Sequence, residues 1–293
     1  MPTRSPLRGG RRRASATAVL GLAVALTTVV GCTPPQGSPA ASESPSAAVE
    51  MSTPDATPTP TPAAEPTATP TPDALPLSGV VVVVDPGHQL GNRNFPREIT
   101  TAVDAGNGAT KDCNTTGTAT DDDVPEATVT WEVSEIVVAR LRERGAEVVL
   151  TRESNSDEEW GPCIDVRGSL ANDRADLLLS IHADGAPAQA HGFHVLLPEE
   201  GSDHYDESLR LGQGVLAALD GAGIDRATYV AGAMRASDDY ATLNHSAKPA
   251  VIVELGNMRH DGDAELLTGP DGQVAYAEAL AVAVETFVAG ATG

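Results

Sequence analysis

The stretch VVVVVDPGH, residues 80–88, decides how the folded part of this chain is read. Five successive valines are β-branched, stiff and wholly apolar. They predict a strand buried on both faces, not one that alternates between core and water. Such strands belong to parallel sheets covered by helices on both sides. The run passes without a spacer into Asp85-Pro86-Gly87-His88, a tight turn that sets a histidine at the carboxyl end of the strand.

The same rhythm continues outward. Residues 126–144 carry Val129, Val133, Val137 and Leu141 at the spacing of one helical face, and Gly145 stops that helix. Apolar runs at 147–151, 177–182, 192–197 and 250–254 predict further strands. Residues 164–174, 208–219 and 272–288 predict helices. Alternating strands and helices imply an α/β fold: a single domain over residues 79–293, with a central, mostly parallel twisted sheet flanked by helices on both faces. Residues 89–125 break the rhythm. This stretch is rich in Gly, Asn, Thr and Asp and too long for an ordinary strand-to-helix connection, so it is expected to be either functional or disordered, and Cys113 within it suggests that it is pinned down.

The N-terminal part has a different composition. Residues 1–31 contain five arginines and no acid, followed by an apolar run at 18–30, as in a secretory signal. The run ends Val29-Val30-Gly31-Cys32, which resembles the lipobox of bacterial lipoproteins. That likeness implies a lipidated Cys32 and a protein held on the outer face of the cytoplasmic membrane; an ordinary cleaved signal is the alternative. Residues 32–78 are Pro, Thr, Ala, Ser and Glu with Thr-Pro repeats, a linker with nothing to bury. Residues 79–293 carry 36 acids against 14 bases. Such an acidic domain argues against nucleic-acid binding, which needs a positive face. In an exported protein Cys113 and Cys163 read as a disulfide, with two free thiols as the alternative.

Three predicted strands lead into a residue able to bind a metal or move a proton: His88, His182 and Glu254. Ligands of open α/β sheets gather outside the carboxyl ends of the strands, so these residues should converge, with Glu126 at the start of its helix beside them. Two histidines and a carboxylate suit a catalytic zinc with an open fourth position, and a second carboxylate then serves as general base. His191, His194, His204, His245 and His260 read as ordinary loop or strand residues.

The segments Asp85-Pro86-Gly87-His88, Glu126, Val149-Leu150-Thr151-Arg152, Ser180-Ile181-His182-Ala183-Asp184 and Val253-Glu254-Leu255-Gly256-Asn257-Met258 together resemble the zinc-dependent N-acetylmuramoyl-L-alanine amidases of bacterial cell-wall turnover. Lys111-Asp112-Cys113, residues 117–122 and Gly161-Pro162-Cys163 are most similar to the compact mycobacterial branch, which implies a bond between the two cysteines. The resemblance implies His88, Glu126 and His182 as Zn2+ ligands and Glu254 as the catalytic acid and base, with Asp85 orienting the turn or the surroundings of His88. Gln89-Leu90 and Thr130-Trp131 depart from the commoner family pattern without touching a proposed ligand. The expected reaction is hydrolysis of the amide between the lactyl group of N-acetylmuramic acid and L-alanine of the stem peptide. Arg235 is a candidate contact for a stem-peptide carboxylate. The expected partner is peptidoglycan, the expected state a monomer, and the only membrane contact the lipid anchor. The alternatives are a zinc peptidase acting within the stem peptide and a non-catalytic peptidoglycan-binding lipoprotein.

Overall fold

The computed structural model describes residues 74–291. The signal at 1–31, Cys32 and most of the linker lie outside the described residues. The folded part begins a little before residue 79. A turn at 75–78 buries Leu77 completely and donates its amide to the Arg144 carbonyl at 2.8 Å, so the last linker residues belong to the core.

The elements in chain order are β1 Val81–Pro86, α1 Pro96–Ile99, β2 Ala102–Asp104, β3 Thr110–Asp112, α2 Glu126–Glu143, β4 Glu147–Leu150, α3 Ile164–Ser169 and β5 Leu177–Asp184. They continue with β6 His194–Leu197, α4 Tyr205–Gly221, β7 Met234–Ala236, α5 Ala241–Asn244, β8 Ala250–Asn257, α6 Asp261–Thr268 and α7 Pro270–Ala291. Six strands form one sheet in the order β4-β1-β5-β8-β6-β7, and β2 pairs with β3 in a separate hairpin. Every neighbouring pair of the large sheet is parallel except β6 with β8. The carboxyl ends of β1, β5 and β8 therefore lie side by side on one rim.

The valines of β1 serve both faces. Val82 and Val84 enter a large core with Val129, Val133, Val137 and Leu141 of α2, while Val83 enters a smaller one with Ala171, Leu178 and Leu243. Helices α4 and α7 complete the larger core through side chains such as Leu211, Val215, Tyr276 and Leu280. Helix α7 has the length and apolarity to cross a membrane, yet these residues are buried within the domain. Gly145 closes α2 with φ of +97°, the left-handed geometry that glycine tolerates after a helix.

Some boundaries differ from the sequence expectation. Helix α3 stops at Ser169 instead of 174. The Asn172 side chain is drawn away to bond the His245 carbonyl and the Ala247 amide, and such tertiary bonds compete with helix continuation. Strand β6 starts at His194 instead of 192, because Gly192 has φ of +92° and donates its amide to Asp263. The long 89–125 segment is ordered: a 3-10 turn at Leu90–Asn94, α1 and the β2–β3 hairpin lie within it. The Cys113–Cys163 disulfide ties this segment to the start of α3.

Candidate active site

Strand β1 delivers its histidine through a turn held by buried donors. Arg152 Nε donates to the Pro86 carbonyl at 3.0 Å, Thr130 Oγ1 to Gly87 at 2.9 Å, and an Arg167 amino group to His88 at 2.5 Å. This grip holds His88 at φ of +57°, which costs a residue with a side chain about 1–2 kcal/mol. Gly87 is required by proximity. A Cβ there would lie 2.5 Å from His182 Cε1, so only glycine lets the two imidazoles converge. Their rings stand edge to face with centroids 4.8 Å apart.

Glu126, the first residue of α2, sits between the histidines. Its Oε2 is 3.1 Å from His88 Nε2 and its Oε1 2.9 Å from His182 Nδ1. The same carboxylate accepts backbone amides from Thr118 at 3.0 Å and Ala183 at 3.1 Å. Burial alone would raise its pKa, but the two imidazoles outweigh this and hold the carboxyl well below its usual range. For His88, burial works against the charged ring and Glu126 in its favour, and the net direction is upward. The other His88 nitrogen, Nδ1, is 3.1 Å from the Thr115 carbonyl.

Among the described residues, His88, Glu126 and His182 form a group able to hold a metal ion, their ligand atoms all within 4.8 Å of one another. Around a tetrahedral zinc with bonds of about 2.1 Å, neighbouring ligand atoms stand roughly 3.4 Å apart, so this donor set fits such an ion. The sequence-predicted trio thus comes together. Glu254 joins it: it pairs in register with His182 across β5 and β8, and lines the same cleft of about 540 Å³. Burial, and then the carboxylates of Glu126 and Asp184, push its pKa well above the usual carboxylate range. A carboxyl with raised proton affinity, beside a group able to hold a cation, is the arrangement that general acid–base chemistry uses.

Asp85 does not touch the His88 ring. Its Oδ1 accepts from Thr151 Oγ1 and from Arg167, each at 2.5 Å, and its Oδ2 accepts from Ser180 Oγ at 2.6 Å. Burial would raise this carboxyl, but Arg167, His182 and the two hydroxyls hold it at about 2. Asp85 thus acts on His88 through Arg167. Arg235 lies exposed on β7 and reaches the cleft only through Tyr240, whose hydroxyl it binds. His194 is buried opposite Glu254 in β6, and burial lowers its pKa to about 4, leaving it neutral.

Sequence reasoning passed over the supports. Arg167 was not singled out, and Arg152 entered only as part of a motif. Gln89 and Thr130, at departures from the family pattern, are buried braces of the His88 turn. Asn92 is a further one: its amide donates to the Thr115 carbonyl at 2.6 Å and its oxygen accepts from Gly161 at 2.9 Å. Only the density of polar residues behind a buried strand hinted at these roles.

Comparison with known proteins gives a consistent result. The family described as N-acetylmuramoyl-L-alanine amidase matches residues 82–286. An N-acetylmuramoyl-L-alanine amidase of Mycobacterium tuberculosis is 36% identical over 217 residues, covering 73% of this chain and 88% of that protein. The crystal structure of an N-acetylmuramyl-L-alanine amidase from Mycobacterium smegmatis superposes with a TM-score of 0.70 at 35% identity, covering 73% of this chain and 99% of that one. The apo form of its counterpart from Mycobacterium abscessus gives 0.68 at 37%, covering 72% and 99%.

Proposed function

The chain belongs to the N-acetylmuramoyl-L-alanine amidase family, and from that premise we propose that it hydrolyses peptidoglycan with Zn2+ held by His88, Glu126 and His182. The bond cut is the amide joining the lactyl group of N-acetylmuramic acid to the L-alanine of the stem peptide. Zinc bound there supplies a Lewis acid that polarises a carbonyl and acidifies water. Glu254 takes the proton of the attacking water and then delivers it to the departing alanine nitrogen. Glu126 keeps the two imidazoles on opposite sides of one carboxylate, and Thr115 orients the His88 ring from behind. Arg235, through Tyr240, orders the β7 side of the cleft for the stem peptide.

The observation that carries this reading is Glu254. It is a carboxyl with raised proton affinity, one strand from His182 and in the same cleft as the three candidate ligands. The signal-like residues 1–31 and Cys32 support export and a lipid anchor, which put the enzyme, as a monomer, on the outer face of the membrane where its substrate lies.

The test is mass spectrometry of muropeptides digested by the full chain, with zinc and after chelation, alongside measured metal content. Intact stem peptides beginning at L-alanine are expected, with zinc only. Shorter peptide fragments would identify a peptidase, and no products with bound zinc a non-catalytic binding protein.

A further inference from the structure

Trp160 is the one aromatic side chain among the large hydrophobic residues left exposed in the described part of the protein, at 46%. An indole offers a large apolar face with a polar N–H, the kind of side chain enriched where proteins meet partners. This one is built rigidly. Phe95 backs it with ring centroids 5.3 Å apart. The segment that carries it is fixed on both sides, by Arg93 on Asp157 at 2.7 Å and by the Cys113–Cys163 disulfide.

Its position relates it to the reaction. A hollow of about 450 Å³ borders Trp160 together with Gln89, Arg152, Glu153 and Glu159. It lies over the β4 and β1 ends of the rim, whereas the cleft with Glu254 and Tyr240 extends toward β8 and α5. The two meet at the His88 turn: a Cβ on Gly161, next to Trp160, would stand 3.1 Å from the His88 carbonyl. A substrate whose scissile amide lies at the candidate metal group would therefore run one arm past Trp160 and the other past Tyr240.

The lining of the hollow decides which arm it takes. The exposed ionisable groups of the hollow are Glu153 and Glu159. Its only cation, Arg152, is buried and spent on the carbonyls of Pro86, Ala127 and Ser154. A carboxylate-bearing peptide finds no free cation there. A neutral sugar ring finds an aromatic face for its C–H surface and carboxylate acceptors for its hydroxyls. In the opposite cleft Lys111 is paired with Asp239. We propose that Trp160 is the platform of a sugar subsite, taking the ring of the glycan strand next to the muramoyl residue under attack; this rests on the amidase reading above.

The test compares two substrates of the zinc-loaded full chain: uncross-linked glycan strands bearing stem peptides, and a single N-acetylmuramoyl peptide with no neighbouring sugar. Trp160→Ala is expected to raise KM on the strands about tenfold at unchanged kcat, the loss of one aromatic contact of about 1.4 kcal/mol. On the single-sugar substrate both constants should stay at native values, and Trp160→Phe should recover most of the loss. Calorimetric titration with chitotetraose should show binding to the native protein and to Trp160→Phe, and none to Trp160→Ala. Native constants for Trp160→Ala on the strands, or an equal loss on both substrates, would overturn the proposal, the latter by making Trp160 a peptide contact or a structural residue. If the native protein cleaved neither substrate, the amidase reading would fail by itself, and the chitotetraose titration would still decide for or against Trp160.

Discussion

Replacing Gly87 with alanine adds one methyl group at the most crowded point of the site. The backbone tolerates it, because Gly87 is not among the residues with positive φ. The obstacle is the ring of His182, whose Cε1 would be 2.5 Å and whose two nitrogens 2.6 Å from the new Cβ. Ordinary van der Waals contact begins at 3.4 Å, so the imidazole must retreat by about 0.9 Å. That movement pulls Nδ1 from the Glu126 oxygen that it now meets at 2.9 Å. A misplacement of about 1 Å commonly costs on the order of 100-fold, so zinc affinity should fall by about 10- to 100-fold, and kcat/KM at limiting zinc with it. Competition against a chromogenic chelator measures the first, and a thermal melt in chelator controls for folding. A variant that bound zinc within twofold of the native protein would refute the steric coupling between the turn and His182.

Glu254→Gln should keep its zinc and lower kcat by about 100- to 10,000-fold, read by metal analysis and product release. The same change should stabilise the metal-free protein at pH 7. Because the folded pKa of Glu254 is raised, ionising it costs stability as pH climbs past the unfolded value of 4.5; melts at pH 4 and pH 7 should therefore differ in the gain. Asp85 has the opposite sign. Its pKa falls from 3.8 to about 2, so it contributes about 2 kcal/mol above pH 4 that disappears as pH drops toward 2. Asp85→Asn should cost about 3 kcal/mol at pH 7 by leaving buried Arg167 unpaired, and less in acid, measured by denaturant unfolding. Reducing the disulfide between residues 50 apart should lower unfolding free energy by about 4 kcal/mol in the chain-entropy picture, checked by unfolding with and without a phosphine reductant.

Much of this could be read from the chain. The valines of β1 predict a strand buried on both faces, and Val82, Val83 and Val84 do serve two cores. Helix α2 was visible because its apolar residues recur every four positions and a glycine ends it. Strand β7 was not, because three residues carry no usable period, and α5 and α6 are short as well. The hairpin inside residues 89–125 was hidden for a related reason: each of its three-residue strands has a single half-buried side chain between two exposed ones, too little to announce a face.

His88, Glu126, His182 and Glu254 were legible as residue types at strand and helix ends, since the direction of parallel strands brings such ends to one rim. Sequence alone determined that convergence, along with the acidic surface and the composition boundary ahead of the domain. Tertiary structure decided how the site is held. Arg167 links Asp85 to the His88 carbonyl, Asn92 and Thr115 orient the ring, and Gly87 makes room for His182. These contacts join residues from 23 to 95 positions apart along the chain. Hydrogen bonding and steric exclusion act over a few ångströms, and which groups come that close is set only when the sheet, α2 and the disulfide-tied loop are packed together.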